Sequence, residues 1–202
     1  MKALRLLASV VGVLAATLIG HHVKAAESGL EWTQIKEDET RIVLYAPGLE
    51  EGVKRFYKAQ TQAPYYVTLE VGTWVGPSGR YPGAEIVVTE LLGDYHFDVK
   101  SDLKKETRGL GMLKDKKVNF HEKGTSHNII GQISYLRFTF ESSECVSFSQ
   151  YWGTPSHHDG FSEGTAKLVG YYCVGAAEGL SADTISAVLA GIGVKGEGVP
   201  ER

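Results

Sequence analysis

The segments Cys145-Val146-Ser147-Phe148-Ser149-Gln150-Tyr151-Trp152 and Ala166-Lys167-Leu168-Val169-Gly170-Tyr171-Tyr172-Cys173-Val174 decide the architecture. Both are rich in Val, Tyr, Phe and Trp, and a polar, Gly-containing stretch from Gly153 to Thr165 separates them. That composition predicts two strands joined by a loop. Taken as an antiparallel pair with the loop centred on Asp159, they set Cys145 opposite Cys173. The same register sets Val146 opposite Tyr172, Phe148 opposite Gly170 and Trp152 opposite Ala166. These pairs read as one largely apolar face, as the two-residue strand period requires of a core face. Cys145 and Cys173 are the only cysteines of the chain. A disulfide between them and the hydrophobic pattern therefore call for the same register, provided no bulge interrupts it.

Further strands follow from the same composition. Ile129 to Phe140 precedes the pair, joined to it by Glu141-Ser142-Ser143-Glu144. Towards the N-terminus, Tyr65 to Val75 and Ala84 to Leu92 read as strands, with Gly76-Pro77-Ser78-Gly79 as a turn after the first. Leu30 to Ile35 and Arg41 to Tyr45 are expected to pair across the charged turn Lys36–Thr40. Leu49, Val53, Phe56 and Tyr57 fall at helical spacing and predict a short helix, which Gly52 weakens. Residues 100–123 hold eight basic against four acidic residues. They read as an exposed loop or short helix followed by a strand around Val118–His121. Near the C-terminus, Ser181 suits an N-cap with Asp183 in the first turn. Ile185, Val188, Leu189 and Ile192 follow at helical spacing, and Gly193 suits the stop. The fold class expected is α+β: a mostly antiparallel β-sheet with a C-terminal helix packed on it and one disulfide.

The N-terminus carries an address. Lys2 and Arg5 give a positive start, and Leu6 to Gly20 is an uncharged run of 15 residues. His21, His22, Val23 and Lys24 form a polar stretch, and Val23 and Ala25 satisfy the small-residue rule for cleavage after Ala25. This is the layout of a secretory signal peptide, and the run falls short of the about 20 apolar residues of a spanning helix. Residues 1–25 are thus expected to be removed, leaving 26–202 as a single periplasmic or secreted domain of a Gram-negative bacterium, with no stable membrane span. Loss of three of the 21 basic residues leaves that domain at a formal charge of −6 against 24 acidic residues. An acidic balance argues against nucleic acid as partner. In an oxidising compartment an even cysteine pair forms a disulfide, and the absence of C-x-x-C makes it a staple, not a redox centre.

Phe138-Thr139-Phe140, Cys145-Val146-Ser147-Phe148, Leu168-Val169-Gly170-Tyr171-Tyr172-Cys173, Leu180-Ser181 and Gly191-Ile192-Gly193-Val194-Lys195 form a connected pattern over residues 138–195. The pattern resembles that of uncharacterised exported proteins of alphaproteobacteria with a C-terminal GYYC…IGVK signature. The resemblance implies an envelope location and carries no catalytic residues.

Chemistry-bearing motifs are sparse. Ser156-His157-His158-Asp159 lies in the loop between the two decisive strands. His157, His158 and Asp159 could ligate a transition metal, with Glu163, His121 or His127 to complete the shell. Adjacent side chains of an extended segment point apart, however, so a solvated hairpin loop is the simpler reading. A G-x-S-x-G elbow, a phosphate-binding loop and a dinucleotide fingerprint are all missing. Among the aromatics, Trp74 and Tyr81 bracket a Gly/Pro turn and are expected to be exposed contacts. Lys104, Lys105 and Arg108 in the basic stretch are candidates for an anionic partner. The expectation is a non-catalytic binding or interaction module with no cofactor. Its partner is an envelope protein or other periplasmic ligand. The alternative is an envelope hydrolase or metal-dependent enzyme using the loop at 156–163.

Overall fold

A computed structural model describes residues 30–61, 67–93, 95–97, 101–153 and 164–200. The decisive pair forms as the sequence requires. Strand β8 (Ser143–Trp152) runs antiparallel to β9 (Ala166–Gly175), with Cys145 opposite Cys173, Val146 opposite Tyr172, Phe148 opposite Gly170 and Trp152 opposite Ala166. No bulge interrupts this register, and Cys145 and Cys173 are bonded.

The other elements in chain order are β1 (Thr33–Ile35), β2 (Ile42–Leu44), β3 (Val53–Gln60), β4 (Val67–Val75) and β5 (Gly83–Leu91). Helix α1 (Leu103–Gly109) follows, then a 3-10 turn (Gly111–Leu113), β6 (Val118–His127) and β7 (Gln132–Phe140). After β9 come helix α2 (Ala182–Ala190) and β10 (Ile192–Val194). Among the described residues eight strands make one sheet in the order β1-β3-β4-β5-β9-β8-β7-β6, and each of its pairings is antiparallel. The chain thus runs a meander through β3, β4 and β5, and crosses by α1 to the far edge. It then meanders back through β6, β7 and β8 until β9 closes on β5.

Both faces of the central strands are buried, so the apolar pairs belong to two layers and not to the single face the sequence suggests. Val146, Phe148, Leu168, Tyr172 and Val174 lie in the main core with Ile86 and Trp74. Ile42 and Leu44 of β2, Ile192 and Val194 of β10, and Ile185, Val188 and Leu189 of α2 are buried in that same cluster. Cys145, Cys173, Val169 and Tyr171 lie in the opposite layer with Leu110 and Leu113 from the α1 segment. The disulfide therefore sits under the 3-10 turn, away from α2.

Aromatic rings fill the places where strands lack side chains. Phe56 lies opposite Gly72, Phe148 opposite Gly170, and Tyr135 opposite Gly124. A Cβ on Gly170 would fall 2.6 Å from the Phe148 ring, and one on Gly124 would fall 2.6 Å from the Tyr135 ring. Each glycine thus gives a cross-strand ring room to lie flat on the backbone, where it restores apolar burial the strand would otherwise lose.

Three expectations need correction. Segments 30–35 and 41–45 do not form a hairpin: β1 pairs with β3, and β2 pairs with β10 in a separate two-stranded sheet. The cause is Glu70 on β4, whose carboxylate accepts from the Arg41 N–H at 2.9 Å, the Arg41 Nε at 2.9 Å and the Thr40 hydroxyl at 3.2 Å. It draws the chain across the sheet face. No helix forms over 49–57: residues 49–52 turn and β3 begins at Val53, with Phe56 buried at one face and Ala59 at the other, so pairing with β4 overrides the spacing of Leu49, Val53, Phe56 and Tyr57. Finally, α2 stops at Gly191, not Gly193, and Ile192 opens β10. A Cβ on Gly191 would lie 1.9 Å from the Tyr45 carbonyl oxygen, so glycine alone admits the end of β2 there.

Reducing the disulfide should lower unfolding free energy by about 3–4 kcal/mol, as chain entropy predicts for cysteines separated by 28 residues. Urea titration of the oxidised protein and of the Cys145→Ala/Cys173→Ala variant measures the difference.

Candidate functional site

The candidate contacts divide sharply. Trp74 is 3 % exposed, not a surface contact. It faces the main core, stacked edge-on against Phe56 at 5.5 Å and lying over Gly72. The strand period turns it inward although the turn begins two residues later. Tyr81 is half-buried against the opposite layer beneath the Arg80 guanidinium. Neither residue offers a free aromatic surface. Truncating Trp74 to Ala is accordingly expected to cost about 3–5 kcal/mol of stability, read from the urea midpoint.

The basic residues are where a partner could reach them. Lys104, Lys105 and Arg108 are exposed on α1. Lys104 and Arg108 are four residues apart and so share a helix face. Both lie over the Phe120 ring of β6, at 5.8 Å and 4.9 Å from its centroid. The ring holds two cations side by side at the surface. His157, His158 and Asp159, with Ser156 and Glu163, lie outside the described residues. Among the described residues no group of three or more His, Cys, Asp or Glu could hold a metal ion.

Sequence reading missed a polar cluster beneath α1. Asp102 caps the helix by accepting from the Lys104 N–H at 3.0 Å. One turn inward, Glu106 binds Lys167 of β9 and the Ser101 hydroxyl. Lys167 also donates to Ser101 Oγ at 3.1 Å, and Ser101 Oγ lies 2.7 Å from the Tyr151 hydroxyl. The ammonium is flanked by the Phe97 and Tyr151 rings at 5.7 and 5.6 Å. Burial raises the Glu106 pKa, and the Lys167 charge opposes that rise. A serine beside a lysine invites comparison with a nucleophile and its base. Here, however, the lysine is ion-paired to the Glu106 carboxylate and donates to Ser101 Oγ, so it is placed as a donor and not as a base.

A second buried acid holds the 3-10 turn. Glu85 of β5 is 3 % exposed and accepts from the Gly111 N–H at 3.1 Å, with the Tyr171 hydroxyl at 3.5 Å. Burial pushes its pKa up to about 7, and the Gly111, Met112 and Tyr171 hydrogen bonds only partly offset that. Burial likewise drives the Tyr171 pKa well above its ordinary value. Glu70 behaves oppositely. Burial works against its ionisation, but the hydrogen bonds and charge of Arg41, with Lys58 nearby, leave its pKa lowered. The sequence signal for these groups is a charge set among the apolar residues of a strand: Glu70 in β4, Glu85 in β5, Lys167 in β9.

Beside the Ser101 cluster lies a cavity of about 310 Å³. It opens between the start of α1, the start of β7 and the end of β8. No helix among the described residues is long and apolar enough to cross a membrane. Comparison with family models, with curated proteins and with solved structures finds no match to this chain.

Glu85 sets a pH dependence. Its folded pKa lies above the unfolded value, so between about pH 4.5 and 7 the folded state keeps a proton that the unfolded state has released. Stability should fall as pH rises through that window. Glu85→Gln, which keeps an acceptor for the Gly111 N–H, should flatten most of the slope, leaving the part due to Glu106. Urea midpoints at pH 5 and pH 8 decide it: an unchanged difference in the variant would show that Glu85 does not titrate there.

Proposed function

We propose that this protein is an exported, non-catalytic binding module of the bacterial envelope that engages an anionic partner through the outer face of α1. Residues 1–25 act as its signal peptide and 26–202 as its single mature domain. A disulfide suits an oxidising compartment, which supports the export reading. The resemblance of residues 138–195 to exported alphaproteobacterial proteins points to the same location.

The observation that carries the binding reading is the pair of cations that Phe120 holds together. Lys104 and Arg108 lose little further side-chain freedom on contact with an anion, because the ring already restricts them. Lys105 adds a third charge beside them. The mature chain is acidic overall, so this face is a local positive field on a negative body, which selects orientation as well as partner. Two cations elsewhere are engaged by acids, Lys167 by Glu106 and Arg41 by Glu70 and Glu90, whereas the α1 cations stand over a ring.

Photo-cross-linking in living cells tests the reading. A probe placed at Met112, exposed four residues beyond Arg108, should capture a discrete envelope partner, and Lys104→Ala/Lys105→Ala/Arg108→Ala should abolish capture while the urea midpoint stays unchanged. In vitro, the purified complex should weaken steeply with added salt. Capture that survives the triple substitution, or binding indifferent to salt, would remove the cationic face from consideration.

A further inference from the structure

The cavity beside α1 exists because two neighbouring strands part company. The β7–β8 ladder runs from Phe140↔Ser143 to Ser134↔Ser149 and stops there. Beyond it, β8 continues to Trp152 paired only with β9, and β7 reaches back to Gln132 paired only with β6. Had the register continued, Gln150 would face Ile133 and Tyr151 would face Gln132. Instead the strands splay inside the sheet, and the cavity of about 310 Å³ fills the gap. Main-chain groups that would have laddered across the gap border it without that pairing, and a buried amide or carbonyl left so demands another partner.

The lining is polar and carries no carboxylate, ammonium, guanidinium or imidazole. Ser101, Ser134, Ser149, Gln132, Gln150 and Tyr151 supply hydroxyls and amides, which both donate and accept. Leu103 and Ile130 add an apolar wall. Lys167 and Glu106 border the site behind Ser101 and the Tyr151 ring, and they are paired with each other. The amide platform is fixed in advance. Gln150 is 2 % exposed and pairs head-to-head with Asn128, at 2.9 Å and 3.0 Å. The same Asn128 carbonyl oxygen takes the Ile130 and Gly131 N–H groups, so the rim of the cavity is held by the residue that holds its floor. That pairing still leaves Gln150 one N–H and one lone pair.

A site of mixed donors and acceptors, without net charge and with one apolar wall, matches a ligand whose own groups both donate and accept around an apolar ring face. An ion of either sign would find no compensating charge. We infer that this cavity binds a neutral, polyhydroxylated ligand, a sugar of one or two rings, whose hydroxyls take the place of the missing β7–β8 hydrogen bonds. The inference stands apart from the cationic face and does not rest on it.

Titration of the ¹⁵N-labelled, oxidised protein with glucose and with N-acetylglucosamine tests it, with glucuronate and inorganic phosphate as anionic counterparts. A neutral sugar should give saturable shifts centred on the amides of Gln132, Ser134, Ser149 and Gln150. Phosphate should give none there, and the Lys104→Ala/Lys105→Ala/Arg108→Ala variant should respond as the wild type does. Ser134→Val and Ser149→Val, which suit strands but remove a hydroxyl, should each weaken binding by about tenfold. Should either variant fold poorly, the contrast between sugar and anion on the wild type still decides. Absence of saturable shifts with both neutral sugars, or preferential binding of glucuronate or phosphate in the cavity, would overturn the inference.

Discussion

β9 is buried on both faces, and that constraint governs the rest of the molecule. One face presents Leu168, Tyr172 and Val174 to the main core, the other presents Val169, Tyr171 and Cys173 to the layer under α1. A slip of one residue against β8 would exchange the two sets. It would also part Cys145 from Cys173 and drive the Phe148 ring into a side chain in place of Gly170. Covalent, steric and hydrophobic demands therefore select a single register. Because β9 also pairs with β5, the register fixes how the first meander sits against the second.

A sheet covered on both faces raises a hydrogen-bonding problem that inward-facing acids solve. Segments crossing a sheet face cannot ladder to it, since strand acceptors point sideways within the sheet. Their N–H groups need acceptors that stand out of its plane. Glu70 offers one to Arg41 as the chain enters β2, and Glu85 offers one to Gly111 at the 3-10 turn. Glu144 does the same for Leu180 ahead of α2, at 2.9 Å, with Arg137 donating to the Leu180 carbonyl. Each covering segment is thus docked at a chosen point by one carboxylate. The arrangement has an electrostatic consequence. Glu70 meets cations and stays ionised, whereas Glu85 meets only dipoles and titrates near neutrality.

Legibility in the sequence followed the range of the determining contacts. The β8–β9 pair was readable because the cysteines and the alternation lie within one hairpin and report the same geometry. The Ser181 cap and the burial of Ile185, Val188 and Leu189 were readable because helix signals are local. The path of 30–60 was not, since it depends on Glu70, some thirty residues away, and on β10 at the far end of the chain. Trp74 was misread because proximity to a turn says nothing about which face a side chain takes. The cluster of Ser101, Glu106, Tyr151 and Lys167 joins three separate segments, so no spacing could disclose it. The cavity was beyond reach for a further reason: it arises where pairing stops, and Ile129 to Phe140 reads as a strand throughout.

The two surfaces meet at one short helix, and the way that helix is held matters to both. Of the seven residues of α1, only Thr107 is buried. Its hydroxyl reaches Ser147 at 2.8 Å, while Glu106 binds Lys167 and Ser101 meets Tyr151. The helix is therefore tied to the sheet mainly by polar side chains, with Leu110 and Leu113 as the apolar anchor just beyond it. Polar ties are directional, so they fix the rotation of the helix more tightly than apolar contact would. That rotation places Lys104 and Arg108 over Phe120 and at the same time presents Ser101 and Leu103 to the cavity. A contact made at Ser101 and a contact made at Arg108 thus bear on the same few bonds, and any free energy linking them must act equally in both directions.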